Sequence, residues 1–479
     1  MIFSIKANRK NENNIIEEAI FYYDNDLNIL SAEDGFIYEN KNPISINEYL
    51  RESLPFSPSN PLKKSKQVTT LKIQLGLSCN YSCEYCSQRY VERAEETSFS
   101  DIDDFLIKLE NLEFDEEKGL KIEFWGGEPF VYWKTLKPLV ERLNEKFKSW
   151  KKLPRFSVIT NGSILNDEKI EWLLNNMDSM GISHDGPGQW VRGPDPLEDK
   201  EFALRILRLY NKIKSQKYRL KNMSFNAMLN AENISRKKIR NFFIDFTGDP
   251  FVKIGEGGLV DAYDEGGIKL SLITKKQQFD FRWETFKELY EQPEDEDFGY
   301  PGQISKINGF IQGVLEHKNS KYLNQKCGMD IENTMAIDLK GNVITCQNVS
   351  QADINSNGQP HLSGNIQDID NVKITTSTHW RERKECSGCP VLHICQGSCM
   401  FVTGEYWYKS CANSYSDAVV MFAIAFEKIT GYVPYFIDNE FLPDVRKDIF
   451  GIILKHEEEE IKTFKSNRKP FPIAVVAAD

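Results

Sequence analysis

Three cysteines stand on one short stretch, Cys79-Asn-Tyr-Ser-Cys83-Glu-Tyr-Cys86. The spacing Cys-x3-Cys-x2-Cys offers three soft thiolates where a metal site takes four ligands, so three irons of a cubane [4Fe–4S] cluster can be held and the fourth left free for a small molecule. An open position implies chemistry, as it does at catalytic zinc centres. A zinc site completed by a distant ligand, or three unrelated thiols, meets the same spacing. Seven more cysteines follow: from Cys327 thirteen residues lead to Gly341 and four more to Cys346, and Cys386-x2-Cys389-x5-Cys395-x3-Cys399 is followed after eleven residues by Cys411. Ten cysteines in 479 residues are no disulfide scaffold, and spaced thiols in a reducing compartment call for metal, with a zinc ribbon the alternative for Cys386 and Cys389.

Three polar motifs accompany the first thiols. Gly126-Gly127-Glu128-Pro129 combines glycines that allow close backbone approach with a carboxylate that can accept from an ammonium group. Thr160-Asn161-Gly162-Ser163 and Ser183-His184-Asp185-Gly186-Pro187 supply hydroxyls, an amide and a carboxylate suited to a ribose and a carboxylate. Each motif alone would be turn chemistry.

Regular elements must bring these motifs together. Strand-like runs at Leu71–Leu77, Lys121–Trp125, Phe156–Thr160, Met180–His184, Ser224–Leu229 and Phe251–Ile254 alternate with segments of helical periodicity, Ile102–Leu112, Leu136–Phe147, Asp167–Asn175, Phe202–Ile213 and Ser235–Phe246. Six strands with intervening helices predict an α/β fold whose parallel sheet curls into an incomplete barrel over residues 69–261. Ligands bind at the C-terminal ends of such strands, where the motifs fall.

Residues 1–68 read as a separate start, with short strands at Ala19–Tyr23 and Asp34–Tyr38 and a linker containing Pro55, Pro58 and Pro61. This segment is either a small docking module or a structural arm. A helical bridge at 262–326, with helices Phe279–Leu289 and Ile304–Glu316 flanking the acidic stretch Glu291–Asp297, leads to a cysteine-rich domain at 327–412 organised around metal in place of a large apolar core. Residues 413–479 read as the helices Ser414–Ile429 and Pro443–Phe464 and a tail, with Glu457–Glu460 a solvated face.

Composition narrows the function. Lys and Arg number 60 against 71 Asp and Glu, a net charge of −11, which argues against nucleic acid as the main partner. Hydrophobic residues at 40% and charged residues at 27% match a soluble globular chain of two to three domains. The longest wholly apolar run, Ala418–Phe426, has nine residues, short of the ~20 needed to span a membrane. The start at Met1–Lys6 lacks a secretory signal, so a cytoplasmic location with no membrane partner is expected.

With these motifs in this order, the sequence resembles a radical S-adenosylmethionine (radical SAM) enzyme over about residues 69–260. The resemblance implies a partial (β/α)6 TIM-like barrel in which Cys79, Cys83 and Cys86 hold a [4Fe–4S] cluster whose open iron chelates the amino and carboxylate groups of SAM. It implies that Tyr85 lies near the adenine, Gly126, Gly127 and Glu128 at the methionine amino group, and Ser163, Ser183 and Arg192 at the ribose and carboxylate. One electron from the reduced cluster then cleaves SAM to a 5′-deoxyadenosyl radical, which abstracts a hydrogen atom from an unactivated carbon. An external electron donor such as flavodoxin or ferredoxin is implied as well.

The later cysteines, with His361-Leu-Ser-Gly364-Asn365-Ile366 between their halves, resemble a SPASM domain, an extension that holds two auxiliary [4Fe–4S] clusters and brings the total to three. By that resemblance Cys327, Cys346 and Cys399 hold the first, and Cys386, Cys389, Cys395 and Cys411 the second. The first set is one cysteine short, and its fourth ligand is a carboxylate such as Asp330, a water or the substrate. SPASM-bearing enzymes typically modify peptides, which implies a ribosomally synthesised precursor peptide as partner. Sulfatase-maturing enzymes resemble this architecture, but they usually have eight cysteines here and an Asp after the cysteine matching Cys346, where this chain has Gln347. Radical epimerases generally need a spare cysteine, and all ten are assigned. What remains is an intramolecular crosslink, a thioether or a carbon–carbon or carbon–heteroatom bond, with Asp330 and Asp185 as candidate bases. Formylglycine formation, a radical SAM reaction on a small molecule, and a non-catalytic iron–sulfur or zinc protein are the alternatives. His184 is expected to be structural, and residues 1–68, if they dock anything, to take a leader peptide as an added strand.

Overall fold

Alternation of apolar and polar residues builds the first sheet. The computed structural model describes residues 1–11, 13, 15–40, 50, 52, 53, 55–255, 258–290, 300–355, 358–376 and 378–451. Its first three strands, β1 (Ile2–Lys10), β2 (Ile16–Asp24) and β3 (Ile29–Ala32), are antiparallel neighbours. Along β1, Phe3, Ile5 and Ala7 point inward and are fully buried, while Lys6 and Arg9 face solvent. The expected strand Asp34–Tyr38 is a turn with a single bridge, Ser31 to Ile37, because the Asp34 carboxylate accepts from Phe36 N–H and curls the chain. The proline-rich segment packs down: Phe56 is buried, and β4 (Leu62–Lys63) follows directly.

The parallel sheet is the expected partial barrel. Strands β5 (Thr70–Gln74), β6 (Lys121–Trp125), β7 (Arg155–Thr160), β8 (Ser179–Ser183), β9 (Asn222–Asn226) and β10 (Ile254–Gly255) pair in sequence order, every pair parallel. Parallel neighbours require crossovers, supplied by helices Ile102–Lys108, Trp133–Lys146, Asp167–Asn176, Lys200–Lys214 and Arg236–Thr247. Three of these helices start at a side-chain cap, where Asn166, Asp199 and Ser235 accept from the N–H of Lys169, Phe202 and Lys238, each cap contributing about 1 kcal/mol.

The cysteine-rich region is stitched to the barrel's first strand. Strand β11 (Thr334–Asp338) pairs in parallel with β5, and β12 (Asn342–Ile344) and β13 (Leu362–Asn365) extend the sheet antiparallel, giving nine strands in all. Strand β14 (Lys373–Ile374) pairs with β4. The apolar run at 418–426 lies in the 27-residue helix Gly404–Thr430, which also carries Cys411 and is followed by β15 (Val433–Asp438). Strand β15 returns to pair with β1, Ser4 opposite Asp438, so the two end segments of the described chain share one sheet. Neither β1 nor β15 was anticipated, and the long helix expected from Pro443 is only Asp444–Lys447, after which Asp448 bridges to Phe436. The acidic stretch Glu291–Asp297 and the expected helical residues past 451, Glu457–Glu460 among them, lie outside the described residues. No helix among the described residues is long and apolar enough to cross a membrane.

Candidate functional site

Strand β5 delivers the cysteine loop, and glycines let it approach its neighbours. Gly76 sits at φ +143°, where a Cβ would collide with the Tyr132 hydroxyl. That hydroxyl accepts from Ser78 N–H at 2.6 Å and donates to Glu96 Oε1 at 2.8 Å. Past β6, a Cβ on Gly126 would stand 2.7 Å from the Gly76 carbonyl, and one on Gly127 would stand 2.5 Å from the carbonyls of Leu77 and Ser78. The N–H groups of Gly127 and Glu128 donate to the Gly76 and Ser78 carbonyls, each at 3.0 Å. The glycine pair therefore admits the backbone of the cysteine loop.

Cys79, Cys83 and Cys86 line a cavity of about 390 Å³ together with Gly126, Gly127, Glu128, Ser183 and Arg192. Burial pushes the Cys83 thiol up to about 11, with the other two thiols adding to the rise and Arg192 opposing it. Burial raises Cys79 as well. Thiols in this state are poor free nucleophiles, and their thiolate form needs compensating positive charge of the kind the irons of a cluster provide. Among the described residues no three Cys, His, Asp or Glu side chains converge as ligands of a single ion do; a cubane spreads its thiolates further, each onto a different iron.

The polar motifs divide between cavity wall and scaffold. Glu128 is 1% exposed. Its Oε1 accepts from Phe130 N–H at 3.0 Å and the Thr160 hydroxyl at 2.7 Å, and its Oε2 accepts from Asn161 N–H at 2.7 Å. The carboxylate thus fastens the end of β6 to the end of β7, and burial still leaves its pKa raised. Ser183 and Arg192 line the cavity, and Arg192 Nε is buried without a hydrogen-bond partner, a donor left over for a bound anion or oxygen. Ser163 is outside the wall: its hydroxyl donates to Asn161 Oδ1 at 2.7 Å and accepts from Asn80 Nδ2 at 2.8 Å, tying the cysteine loop to β7.

Tyr85, Asp185 and Arg192 form one network. The Tyr85 hydroxyl donates to Asp185 Oδ2 at 2.5 Å and accepts from Arg192 Nη1 at 2.7 Å, while Met228 N–H donates to Asp185 Oδ1 at 3.0 Å. Asp185 is fully buried, which raises its pKa against the pull of Arg192 and Tyr85. Its carboxylate is occupied in holding Tyr85 and is absent from the cavity wall. His184 Nδ1 accepts from Gly186 N–H at 3.0 Å, so its Nε2 carries the proton and donates to Asp195 at 2.9 Å, the structural role expected for it.

The remaining seven thiols fall into two neighbourhoods. Burial drives Cys346 far up, with Cys327 and Cys399 adding to the rise. Burial likewise drives up Cys386, beside Cys395, Cys411 and Cys389. Cys327, Cys346 and Cys399 open onto a second cavity of about 940 Å³. Ser87, Trp125, Asp261, Tyr263 and Asn348 line both cavities, so the two adjoin across a shared wall. Asp330 is part of neither wall: its Oδ2 accepts from Gln325 N–H at 2.9 Å and lies 3.3 Å from His379 Nε2, while its Oδ1 is buried without a partner. Gln347 lines the second cavity and accepts from the Cys346 thiol at 3.4 Å.

Buried cations brace both neighbourhoods, and sequence reading missed them. Lys64, 2% exposed, donates to the carbonyls of Met329 at 2.8 Å, Ile331 at 2.9 Å and Thr334 at 2.8 Å. Arg383 donates to the carbonyls of Gly397, Cys399, Met400 and Val402 and lies 3.5 Å from the centre of the Trp407 ring. Arg446 reaches Cys411. Only Arg383, three residues before Cys386, stands close enough in sequence to have drawn notice. Asp261 carried one signal, its position just beyond the last barrel strand.

Comparison with known proteins agrees with this geometry. Residues 73–224 match the radical SAM superfamily. The chain is 24% identical over 234 residues to the radical SAM cyclopropyl synthase TigE of Paramaledivibacter caminithermalis, covering 45% of either chain. It is 23% identical over 371 residues to the cysteine-type anaerobic sulfatase-maturating enzyme of Clostridium perfringens, covering 71% of this chain and 89% of that one. The chain thus spans about half the length of TigE and most of the maturase. A solved structure of native anSMEcpe with bound AdoMet and Kp18Cys peptide superposes with a TM-score of 0.52 at 18% identity, over 75% of this chain and 99% of that one. The chain carries a radical SAM superfamily domain at residues 73–224, and over three quarters of its length it shares the fold of that solved structure, with a cysteine-rich region after the barrel.

Proposed function

We propose that the chain is a peptide maturase that removes a hydrogen atom from a ribosomally made precursor peptide and joins two of its residues by a thioether, carbon–carbon or carbon–heteroatom bond. One observation carries this reading: the cavity at Cys79, Cys83 and Cys86 shares a wall with a larger one lined by Cys327, Cys346 and Cys399. A peptide bound against that shared wall would face both thiol sets. The neighbours bound to peptide and the maturase relative support a peptide as substrate.

Cys79, Cys83 and Cys86 would hold a [4Fe–4S] cluster that, when reduced, supplies the electron that cleaves SAM to a 5′-deoxyadenosyl radical. Arg192 offers its free Nε to SAM, and the Asp185–Tyr85 hydrogen bond holds Arg192 and the cysteine loop in register. Two auxiliary clusters would occupy the other thiol sets, giving an electron leaving the substrate a place to go. Asp261, on the shared wall, accepts from the Ser398 hydroxyl at 3.0 Å and has its pKa raised by burial. It is better placed than Asp185 or Asp330 to take a proton from the substrate.

Formylglycine formation is the second reading, favoured by the extent of the match to the maturase. Gln347 weighs against it, since an amide cannot take up the proton that a carboxylate would.

The test is iron and sulfide content of anaerobically reconstituted protein beside a Cys79→Ala/Cys83→Ala/Cys86→Ala variant, with 5′-deoxyadenosine formation assayed on both. About twelve irons falling to about eight, with SAM cleavage lost, is the expected result. Zinc in place of iron, or no SAM cleavage by fully loaded protein, overturns the reading. Mass spectrometry of a precursor peptide then separates a crosslink, which loses two hydrogens and links two residues, from a single-residue formylglycine.

A further inference from the structure

The short helix Asp444–Lys447 sends an arginine back to the second auxiliary thiol set. Arg446 Nη2 donates to Cys411 Sγ at 3.1 Å, and Cys389 is the other thiol within reach of its charge. The contact is built from both sides. Tyr415, one turn beyond Cys411 on helix Gly404–Thr430 and 1% exposed, donates its hydroxyl to the Arg446 carbonyl at 2.7 Å. Its ring lies 5.0 Å from the guanidinium carbon. Ile449 N–H donates to the Tyr435 carbonyl at 3.0 Å, anchoring the segment to β15. Among the described residues Arg446 makes no ion pair with a carboxylate, so its charge is directed at sulfur.

Among the described residues no guanidinium donates to a sulfur of the first auxiliary set, although the charge of Lys72 reaches Cys327 and Cys346 and that of Arg383 reaches Cys399. Cys346 Sγ accepts from Asn348 N–H at 3.4 Å, Cys399 is hydrogen-bonded to the Tyr263 hydroxyl, and Asp261 adds negative charge beside it. A guanidinium stays charged at all working pH values, and its hydrogen bond strengthens as negative charge builds on the acceptor. Reduction of an iron–sulfur cluster adds one electron, spread partly onto the thiolate sulfurs, and hydrogen bonds to those sulfurs raise the potential.

We infer that Arg446 is a positioning residue that raises the reduction potential of the group held by Cys386, Cys389, Cys395 and Cys411, making that group the sink for the electron the substrate loses. The inference rests on the iron–sulfur reading of this thiol set. In balance, the substrate radical gives up one electron and, from the carbon or heteroatom that closes the bond, one proton. The second auxiliary group is reduced by one electron, then reoxidised by a one-electron carrier protein in its oxidised form.

The test is a redox titration followed by electron paramagnetic resonance on full-length protein. The Cys79→Ala/Cys83→Ala/Cys86→Ala background leaves the two auxiliary signals, and Arg446→Met and Arg446→Lys are compared within it. Arg446→Met is expected to keep about eight irons while one of the two transitions moves negative, the reduced-to-oxidised ratio at fixed poise falling about tenfold, which is 59 mV for one electron. Arg446→Lys is expected to recover part of the shift, and the other transition to stay in place. Full iron content with neither transition moved overturns the inference and leaves the cluster reading intact. Loss of about four irons in both variants makes Arg446 a structural brace only and overturns it too. A background protein without iron at this set overturns inference and cluster reading together.

Discussion

Tyr85 and Asp185, one hundred residues apart in sequence, share a 2.5 Å hydrogen bond that joins the cysteine loop to the loop after β8. Arg192 donates to the same hydroxyl, so a buried carboxylate, a phenol and a guanidinium form one unit at the cavity edge. Asp185→Asn leaves Arg192 with an uncompensated charge and the Tyr85 hydroxyl with a weaker acceptor. A hydrogen bond to a charged group contributes about 1.5–3 kcal/mol, so SAM binding should weaken by about tenfold or more. Equilibrium binding of SAM to reconstituted variant and parent, with iron content equal, checks this.

Gly127→Ala should uncouple the cysteine loop from β6. The added Cβ would stand 2.5 Å from two backbone carbonyls, which have no flexible end to give way. Overpacking of this kind costs about 1–3 kcal/mol, and here the displaced backbone carries the first three thiols. Reconstituted Gly127→Ala should lose about four irons and its SAM cleavage, while the other thiol sets load normally.

Lys64→Met tests the strap that crosses the cysteine-rich region. It removes the shared donor of two buried carbonyls, those of Met329 and Thr334, and of the half-buried Ile331 carbonyl, which keeps the Thr334 N–H. Each unsatisfied buried group costs about 1–3 kcal/mol, and the loop concerned begins at Cys327. The variant should melt several degrees lower and load the first auxiliary set poorly, with Cys79, Cys83 and Cys86 still able to support SAM cleavage.

His361 makes the second cavity acid-sensitive. It is 3% exposed, and burial lowers its pKa to about 4 from a model-peptide value of 6.5. A histidine whose folded pKa is depressed adds stability that is fully present above 6.5 and is lost as pH falls through 4, up to about 3 kcal/mol. Thermal melts between pH 7.5 and 4 should show that loss, and because burial lowers His393 to about 4 as well, His361→Phe should make the curve shallower by the His361 share while His393 still contributes. An equally steep curve in the variant would assign the loss to other groups.

The barrel was legible because each of its strands is a short apolar run between helices of regular period, and Lys121–Trp125 was read to the residue. Strand β15 was missed because its partner β1 lies more than four hundred residues away, whereas β1 also pairs locally with β2 and its alternation of Phe3, Ile5 and Ala7 with polar residues was a signal passed over. Their pairing is a tertiary fact that no local window contains. The thiols announced themselves by spacing. The duties of their neighbours did not: Asp185 looked free to act as a base, yet it is held by Tyr85 from one side and Met228 N–H from another. Ser163, expected at the ribose, also accepts from Asn80, a tie to the cysteine loop that its motif did not announce. A polar residue in a motif shows its chemistry in the sequence, but the partner that consumes it is visible only once the chain is folded.

The pairing of β1 with β15 also orders events during synthesis. At about 5–20 residues per second, β1 leaves the ribosome roughly 20–90 seconds before its partner exists. Asn25, just past β2, donates to the carbonyls of Ser387 and Cys389 at 3.0 and 2.9 Å, and so ties the first sheet to the loop that carries Cys386 and Cys389. Until β15 emerges, the sheet that holds Asn25 lacks one of its four strands. β15 is the latest-made strand among the described residues, so the first sheet is completed only after all ten cysteines of the chain have been synthesised.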